Sequence, residues 1–331
     1  MLGAACATGT DAATRGDSYL SARRWQISVG YRKQRSHRHF VGTEEQHERE
    51  EAETEIVNDV HLFDVSATYA VSPRYSLSFS VPFMFAKRTR PGTLDRARNN
   101  GQPGPDQVFH SRGIGDISVS GRAWLIRPPS ETRQNVSFGI GVKIPTGEAG
   151  VQDTVQTLTG PSRVVVDQSI QLGDGGWGLS LDVQGFKAVK RATLYGSGVY
   201  LLNPRNTNGV RTGRARASEA IMSVSDQYLA RAGVVYPMPK VRHMSFSVGA
   251  RLEGVPIRDL IGKSEGFRRP GYAISFEPGI NYLRGKETWT LAVPIPFVRN
   301  RQRSTSDIID NRHGDAAFAD YVIMLGYSRR F

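Results

Sequence analysis

The 331-residue chain contains a single cysteine, Cys6, so no internal disulfide can form and a disulfide scaffold is excluded. It also lacks any uncharged apolar run of the roughly 18–20 residues that a membrane-spanning helix needs, which excludes a polytopic helical membrane protein. With 39% hydrophobic and 9% aromatic residues, the chain is too apolar to be disordered throughout. Its 35 glycines and 17 prolines suit a fold of many strands and turns.

The N-terminus carries a small-residue motif that is typical of exported proteins. Ala5-Cys6-Ala7 has the small-x-small form that signal peptidase cleaves, although the charged and apolar regions that precede such a site are missing. We therefore expect residues 1–7 to be the remnant of a signal peptide and residues 8–24 to form an N-terminal periplasmic segment or plug. The alternative is an ordinary N-terminal tail of small residues.

Hydrophobic residues alternate with small or polar residues along most of the chain. In residues 75–86 the odd positions are large and apolar and the even positions are mostly small, which predicts a strand of about 11–12 residues. Phe79 and Phe83 would share one face, and Ser78 and Ser80 the other. Eleven further stretches show the same alternation: 25–31, 63–71, 115–126, 136–144, 164–172, 177–185, 225–236, 244–254, 271–282, 288–298 and 318–331.

The composition of the polar faces indicates which side of each strand meets lipid. These faces hold mostly Ser, Gly, Thr and Ala with single charged residues, whereas the outer surface of a soluble sandwich would carry more Lys and Glu. Strands of this length match tilted transmembrane strands. We therefore predict an all-β fold over residues 25–331, an antiparallel transmembrane β-barrel in the bacterial outer membrane. A soluble, secreted β-sandwich that binds a ligand is the alternative.

The connecting segments alternate between short and long, as periplasmic turns and external loops do in outer-membrane barrels. Six long and five short links predict about 12 strands, with both termini on the side of the short turns. Residues 192–202 do not fit this count, so we assign them to a structured part of the fourth long loop. The alternative is 14 strands, with an additional strand near 210–222.

The C-terminus resembles the assembly signal of outer-membrane barrels. Tyr327 and Phe331 belong to an alternating strand that ends in an aromatic residue, which predicts recognition by the barrel-assembly machinery. Arg329 departs from the usual pattern, which has an apolar residue at that position.

Ionisable residues on the polar faces are the candidate site residues, because by parity they face the lumen. They serve either as cross-lumen ion pairs that hold the barrel round, which we favour, or as a charged constriction that selects solutes. The candidates are Asp116, Arg122, Lys143, Asp167, Asp182, Arg231, Arg251, Glu253 and Glu277.

Other chemistry finds little support in the sequence. The histidines and glutamates of residues 37–51 lack the spacing of a preorganised metal site, and no His faces a Ser on a lumen row, so we predict no enzyme activity, no metal and no cofactor. The net charge of +12 comes largely from arginines that flank apolar strands. This placement predicts membrane lipid and lipopolysaccharide as partners rather than nucleic acid.

Two groups of short motifs carry a family resemblance. Residues 113–116 (GIGD), 144–148 (IPTGE), 253–262 (EGVPIRDLIG), 267–272 (FRRPGY) and 277–279 (EPG) resemble the outer-membrane transporters of the meta-pathway phenol-degradation type. The resemblance covers roughly residues 60–331. It implies an outer-membrane channel or transporter for small molecules, including hydrophobic or aromatic compounds, and it supplies no site residues. The alternative function is a closed structural or adhesive barrel.

Overall fold

The computed structural model describes residues 20–331, which form a closed barrel of twelve antiparallel strands. Every strand pairs with its sequence neighbours, and the first pairs with the last, with Gln26 opposite Arg330. The predicted all-β class and strand count are confirmed. The strands are β1 (Trp25–Val41), β2 (Val57–Ala70), β3 (Tyr75–Arg90), β4 (Gln107–Ile114 and Ile117–Trp124), β5 (Gln134–Ile144), β6 (Gly178–Val189), β7 (Ala192–Leu202), β8 (Gln227–Pro237), β9 (Met244–Val255), β10 (Gly271–Arg284), β11 (Glu287–Ala292 and Ile295–Arg301) and β12 (Ala316–Arg330).

Short turns and long loops alternate around the barrel. The turns are 71–74, 125–133, 190–191, 238–243 and 285–286, and the loops are L1 (42–56), L2 (91–106), L3 (145–177), L4 (203–226), L5 (256–270) and L6 (302–315). L1 contains a two-residue strand and helix α1, L3 and L4 each contain a hairpin, L6 contains helix α2, and short 3₁₀ helices occur in L2, L3, L4 and one turn. Their bounds are Glu44–Glu45, Glu48–Glu51 (α1), Gly92–Arg98, Pro129–Glu131, Gln152–Thr157, Gly160–Val165, Gln168–Ile170, Thr207–Arg211, Ala217–Glu219, Ile221–Ser223 and Thr305–Ile309 (α2). Of the helices between residues 20 and 331, none has the length and apolar content needed to span a bilayer.

Two of the strand assignments were wrong, although the total was correct. Residues 192–202 are the barrel strand β7, and residues 164–172 belong to L3, where they finish a hairpin and form a 3₁₀ helix. Alternation is weak in β7, because glycines take outward positions and Tyr195, which is buried, takes an inward one. In L3, Val166 and Ile170 are fully buried because the loop packs on the inner face of β2 and β3.

The turn between β6 and β7 has an unusual sequence, which explains the error. It consists of Lys190 and Arg191, and Lys190 has a φ of 53°, in the left-handed region where glycine, asparagine and aspartate are normally found. The glycine-rich residues 173–176, which separate the predicted strands 164–172 and 177–185, lie at the end of L3 and not in a periplasmic turn.

The exterior of the barrel is an apolar belt. Phe79 is 46% exposed on the outer face of β3, whereas Ser78 and Ser80 line an interior cavity, which confirms the predicted faces. Aromatic pairs lie at the turn end of the barrel, with ring centroids 4.8 Å apart for Trp25 and Tyr69 and 4.3 Å apart for Trp289 and Tyr327. A closed barrel with an apolar belt and an aromatic girdle is the architecture of bacterial outer-membrane proteins, and it localises the chain there.

Candidate channel lumen

A continuous row of ion pairs crosses the lumen. Arg32 on β1 contacts Glu253 on β9 at 3.1 Å, although three strands separate β1 from β9 around the wall. Arg251 contacts Glu253 at 3.0 Å and Glu277 on β10 at 3.3 Å, and Glu277 also pairs with Arg231 on β8. We call these five residues the ion-pair bar.

Three of the five residues of the ion-pair bar are shielded from water, whereas the side chains of Arg32 and Glu253 are 18% and 22% exposed. Arg251 is 1% exposed, Glu277 is 2% exposed and Arg231 is also buried. Buried charges are tolerated only when each has a partner of opposite sign, and the alternation of three arginines with two glutamates provides one for each. The bar therefore acts as a rigid brace between opposite parts of the wall.

Apolar side chains fill the lumen on the same side of the barrel as the ion-pair bar. Leu229 on β8 packs in one cluster with Val322 and Met324 on β12, and Ala292 on β11 lies against it. Strands β8 and β12 are not neighbours in the wall, so this contact also crosses the lumen. The interior between β8 and β12 is consequently packed, and the described residues leave open space on the side of β2 to β7.

That open space is a cavity of about 560 Å³ that extends along the barrel. At the turn end it is lined by Leu20 and by the turn that contains Pro73, and at the loop end by Asn208 and Arg269. The cavity thus runs from the periplasmic turns to the external loops, which is the path that a permeating solute needs.

Hydroxyl groups dominate the wall of this lumen cavity. Thirteen serines line it, and most come from the inward positions of β1 to β8. Apolar side chains are interspersed with them, including Leu62, Met84, Trp124 and Leu201. The wall therefore offers hydrogen bonds and apolar contacts along the same path, an arrangement suited to amphipathic molecules.

Two charged clusters project from the wall into the lumen cavity. Arg122 on β4 donates to Asp182 on β6 at 2.7 Å, across the intervening strand β5. The Asp182 carboxylate packs against Gly139 on β5, where a Cβ atom would lie 1.8 Å from its oxygen, so only glycine leaves room for this pair. The pair is neutral overall and braces the cavity wall.

The second cluster surrounds Lys143 on β5, which pairs with Asp174 in L3 and lies 3.6 Å from Asp116. Asp116 interrupts β4, and its carboxylate accepts the backbone N–H groups of Gly147 and Asp174 at 3.0 and 3.3 Å. The interruption of β4 thus provides an anchor for both ends of L3.

Loop L3 folds into the outer end of the barrel. Its residues Val155, Val166 and Ile170 are buried against the inner faces of β2 and β3, including Leu62 and Met84. This packing buries an apolar part of the lumen wall that water would otherwise contact. L3 therefore covers part of the outer end of the lumen cavity, which Asn208 of L4 and Arg269 of L5 also line.

An ion pair fastens L3 to L5. Arg269 donates two hydrogen bonds of 2.8 Å to Asp167, and Arg88 on β3 lies 3.5 Å from the same carboxylate. Burial would by itself raise the pKa of Asp167, but the charges of Arg269 and Arg88 outweigh it and hold the pKa well below its usual value. Asp167 therefore stays ionised at neutral and mildly acidic pH.

A carboxylate whose pKa is lowered by folding stabilises the folded state at every pH above its unfolded pKa, which is about 3.9 for aspartate. This stabilisation is lost as the pH falls below that value. We therefore expect L3 to stay docked down to about pH 4 and to loosen only at lower pH. A nitroxide on Thr159→Cys at the tip of the L3 hairpin, in a Cys6→Ser background, would report this as a change in mobility. In Asp167→Asn the label should already be more mobile at pH 7. Loosening of the unsubstituted loop between pH 7 and 5 would contradict the assignment.

The nine charged candidates fall into three groups in the structure. Arg231, Arg251, Glu253 and Glu277 belong to the ion-pair bar, whereas Asp116, Arg122, Lys143 and Asp182 line the lumen cavity, and Asp167 lies in L3 rather than on a strand. Sequence reasoning missed Arg32. Its even position continues the polar face of β1, but the predicted strand ended at residue 31, and β1 extends to Val41.

The charged residues of the first long link make ion pairs instead of a metal site. His39 donates a hydrogen bond from Nδ1 to Asp315 at 2.7 Å, and Arg38 pairs with Glu45. Within residues 20–331 no three His, Cys, Asp or Glu side chains are grouped closely enough to hold a metal ion.

The two terminal aromatic residues lie at the periplasmic end. Tyr327 packs on Trp289, while Phe331 follows β12 and its backbone N–H donates to Trp25 at 2.8 Å. Their role as an assembly signal remains a prediction. The expected signal-peptide remnant, residues 1–7, and most of the expected plug, residues 8–24, lie outside the described residues, which begin at Leu20.

No model of a known protein family matches the chain. In structure, the chain is similar to the COG4313 outer membrane channel from Pseudomonas putida F1, with 12% identity over 96% of this chain and 99% of that chain and a TM-score of 0.61. It is also similar to the toluene transporter TbuX from Ralstonia pickettii, with 12% identity over 97% and 92% of the two chains and a TM-score of 0.45. At 12% identity, the similarity to the COG4313 channel is a similarity of fold alone.

Proposed function

We propose that this barrel is a passive outer-membrane channel for small amphipathic molecules and not an enzyme. The observation that carries the proposal is the cavity of about 560 Å³ that runs from the periplasmic turns to the external loops beside the ion-pair bar. Such a volume falls within the range of small-molecule sites. A barrel with only a structural role would have no need of an end-to-end cavity.

The chemistry of the cavity wall supports hydroxylated aromatic compounds as the solutes. Serine hydroxyls can exchange hydrogen bonds with a phenolic group, and side chains such as Trp124 and Val199 offer surface for a ring. The resemblance to transporters of the phenol-degradation type favours this class of solute, and the similarity in fold to an outer-membrane channel favours passage of a small molecule without indicating which one. The two wall clusters together hold two cations and three carboxylates, a net charge of only −1, so we propose little selectivity for simple ions.

Uptake of a phenolic solute into proteoliposomes tests the proposal. Ser120 lines the cavity, and its neighbour Val119 is 42% exposed on the lipid face of the same strand. We expect Ser120→Trp to fill the path and lower the uptake rate about tenfold or more, and Val119→Trp to leave it unchanged, because only the inward side chain narrows the pore.

The same vesicles discriminate between the proposed functions. Uptake no faster than in protein-free vesicles would favour the closed structural barrel. Equal rates for both tryptophan variants would show that the solute does not pass through the cavity.

Binding can be followed separately, since Trp124 lines the cavity while Trp25, Trp177 and Trp289 are half-exposed on the exterior. Replacing the outer three by Phe makes Trp124 fluorescence the reporter.

A further inference from the structure

A second cavity, of about 110 Å³, lies beneath the external loops next to the lumen cavity, with which it shares Ser169 and Arg269 as lining residues. We call it the outer chamber. Five arginines line it, and they come from two strands and three loops: Arg88, Arg214, Arg269, Arg301 and Arg312. Such a concentration of guanidinium groups around so small a space is costly unless negative charge compensates for it.

The carboxylates around the outer chamber do not balance its arginines. Four carboxylates each have one close arginine partner, in the pairs Asp167–Arg269, Glu219–Arg312, Asp307–Arg301 and Asp315–Arg49. Arg88 and Arg214 remain, with contacts to these carboxylates of only 3.5 Å or longer. Among residues 20–331, six guanidinium groups therefore meet four carboxylates, which leaves two positive charges in excess.

His39 also lines the outer chamber but adds no charge to it. Its Nε2 accepts the backbone N–H of Ile56 at 3.0 Å, so the proton lies on Nδ1, which donates to Asp315 at 2.7 Å. The ring is therefore the neutral tautomer. The excess positive charge comes from the arginines alone.

Several N–H groups at the outer chamber have no acceptor. Arg301 is 2% exposed, and its Nε has no hydrogen-bond partner in the part of the chain that the structure describes; the same holds for Nε of Arg312. Arg214 stacks on Phe267, with its guanidinium carbon 3.8 Å from the ring centroid, and its side chain is 35% exposed. Between residues 20 and 331 its guanidinium donates no hydrogen bond to another residue. Stacking fixes the guanidinium in place while its N–H edge remains available.

We propose that the outer chamber binds a small oxyanion, that is, a carboxylate or phosphate group. Arginine N–H groups in a fixed arrangement match the oxygens of such groups, and the excess of two positive charges supplies the attraction. Burial and the neighbouring charge of Arg269 lower the pKa of Arg214, which indicates that an added anion at this position would relieve repulsion. The inference is independent of transport, because a closed barrel could hold the same anion.

Isothermal titration of the purified, folded barrel in detergent with inorganic phosphate and with acetate, at constant ionic strength, tests the inference. We expect about one equivalent of at least one of these anions to bind. Arg214→Gln should weaken binding about tenfold, because it removes a charged donor from the chamber. Arg96→Gln in L2, where Arg96 is exposed and lies outside the chamber, is the matched control and should have no effect.

Arg301→Lys is a second variant that keeps the positive charge but replaces the planar guanidinium with an ammonium group, and it should also weaken binding. If this variant fails to fold, as judged from its migration in unheated gels, the result for Arg214→Gln decides the test alone. Binding of phosphate only, or of acetate only, supports the site and identifies the preferred group. Absence of binding to the folded wild type, or an equal loss in Arg214→Gln and Arg96→Gln, would overturn the inference.

Discussion

Replacement of Phe79 by arginine is expected to destabilise the barrel by about 2–4 kcal/mol, the cost measured for a cation near the bilayer midplane on the lipid face of a transmembrane barrel. Phe79 lies near the middle of the apolar outer face of β3, which runs from Tyr75 to Phe85, and it is 46% exposed. A guanidinium at this position has no water and no carboxylate within reach.

Ser78→Arg is the matched control for this prediction, because residue 78 precedes Phe79 and points into the lumen cavity. There the new side chain meets water, so a much smaller loss is expected. Urea unfolding of both variants from phospholipid vesicles, with the folded fraction read from gel migration, gives the two free energies. Equal losses would show that the assignment of faces in β3 is wrong.

Replacement of Glu277 by leucine is expected to cost about 3–5 kcal/mol, because it leaves a buried arginine without its counter-charge. Glu277 is the one carboxylate that pairs with Arg231 among the described residues, and both side chains are buried. Arg251 keeps Glu253 as its partner, so the defect is confined to one end of the ion-pair bar.

Two further variants separate charge burial from the loss of a contact. Arg231→Leu combined with Glu277→Leu should recover much of the stability, since no unpaired charge then remains. Glu287→Leu breaks the pair with Arg329, whose side chains are 40% and 53% exposed, and should change the free energy of unfolding by less than about 1 kcal/mol. If Glu277→Leu lowered the free energy of unfolding no more than Glu287→Leu does, the ion pair between Glu277 and Arg231 would not matter for stability.

The contents of the lumen were less accessible to sequence reasoning than its wall. The alternation of side chains along each strand placed Arg231, Arg251 and Glu277 on lumen-facing positions. It could not indicate that they form a continuous row with Arg32. Those contacts depend on how far apart the strands lie across a closed barrel, which is a property of strand number and register and not of any single strand.

Loop L3 shows the same limit from another direction. The run Val164-Val165-Val166 has the composition of a strand, and Asp167 was therefore assigned to a lumen row. Val166 is buried instead because L3 packs on Leu62 and Met84, which lie about a hundred residues away in the chain. No local pattern carries that information, because the partner surface is formed by strands that assemble independently of the loop.

The sequence alone determined the all-β class, most of the strands and the two faces of strands such as β3, because side chains alternate with a period of two and lipid and lumen demand different residues. The total of twelve was correct because residues 164–172 were counted in place of β7. Sequence reasoning misassigned β7, because Lys190-Arg191 lacks the residues typical of a tight turn and takes its left-handed conformation only under the constraint of the paired strands. Only the tertiary structure decided that the lumen is half packed and half open, and that arginines from distant loops share one chamber. These features follow from closure of the barrel, which brings side chains together across space that the order of residues along the chain does not describe.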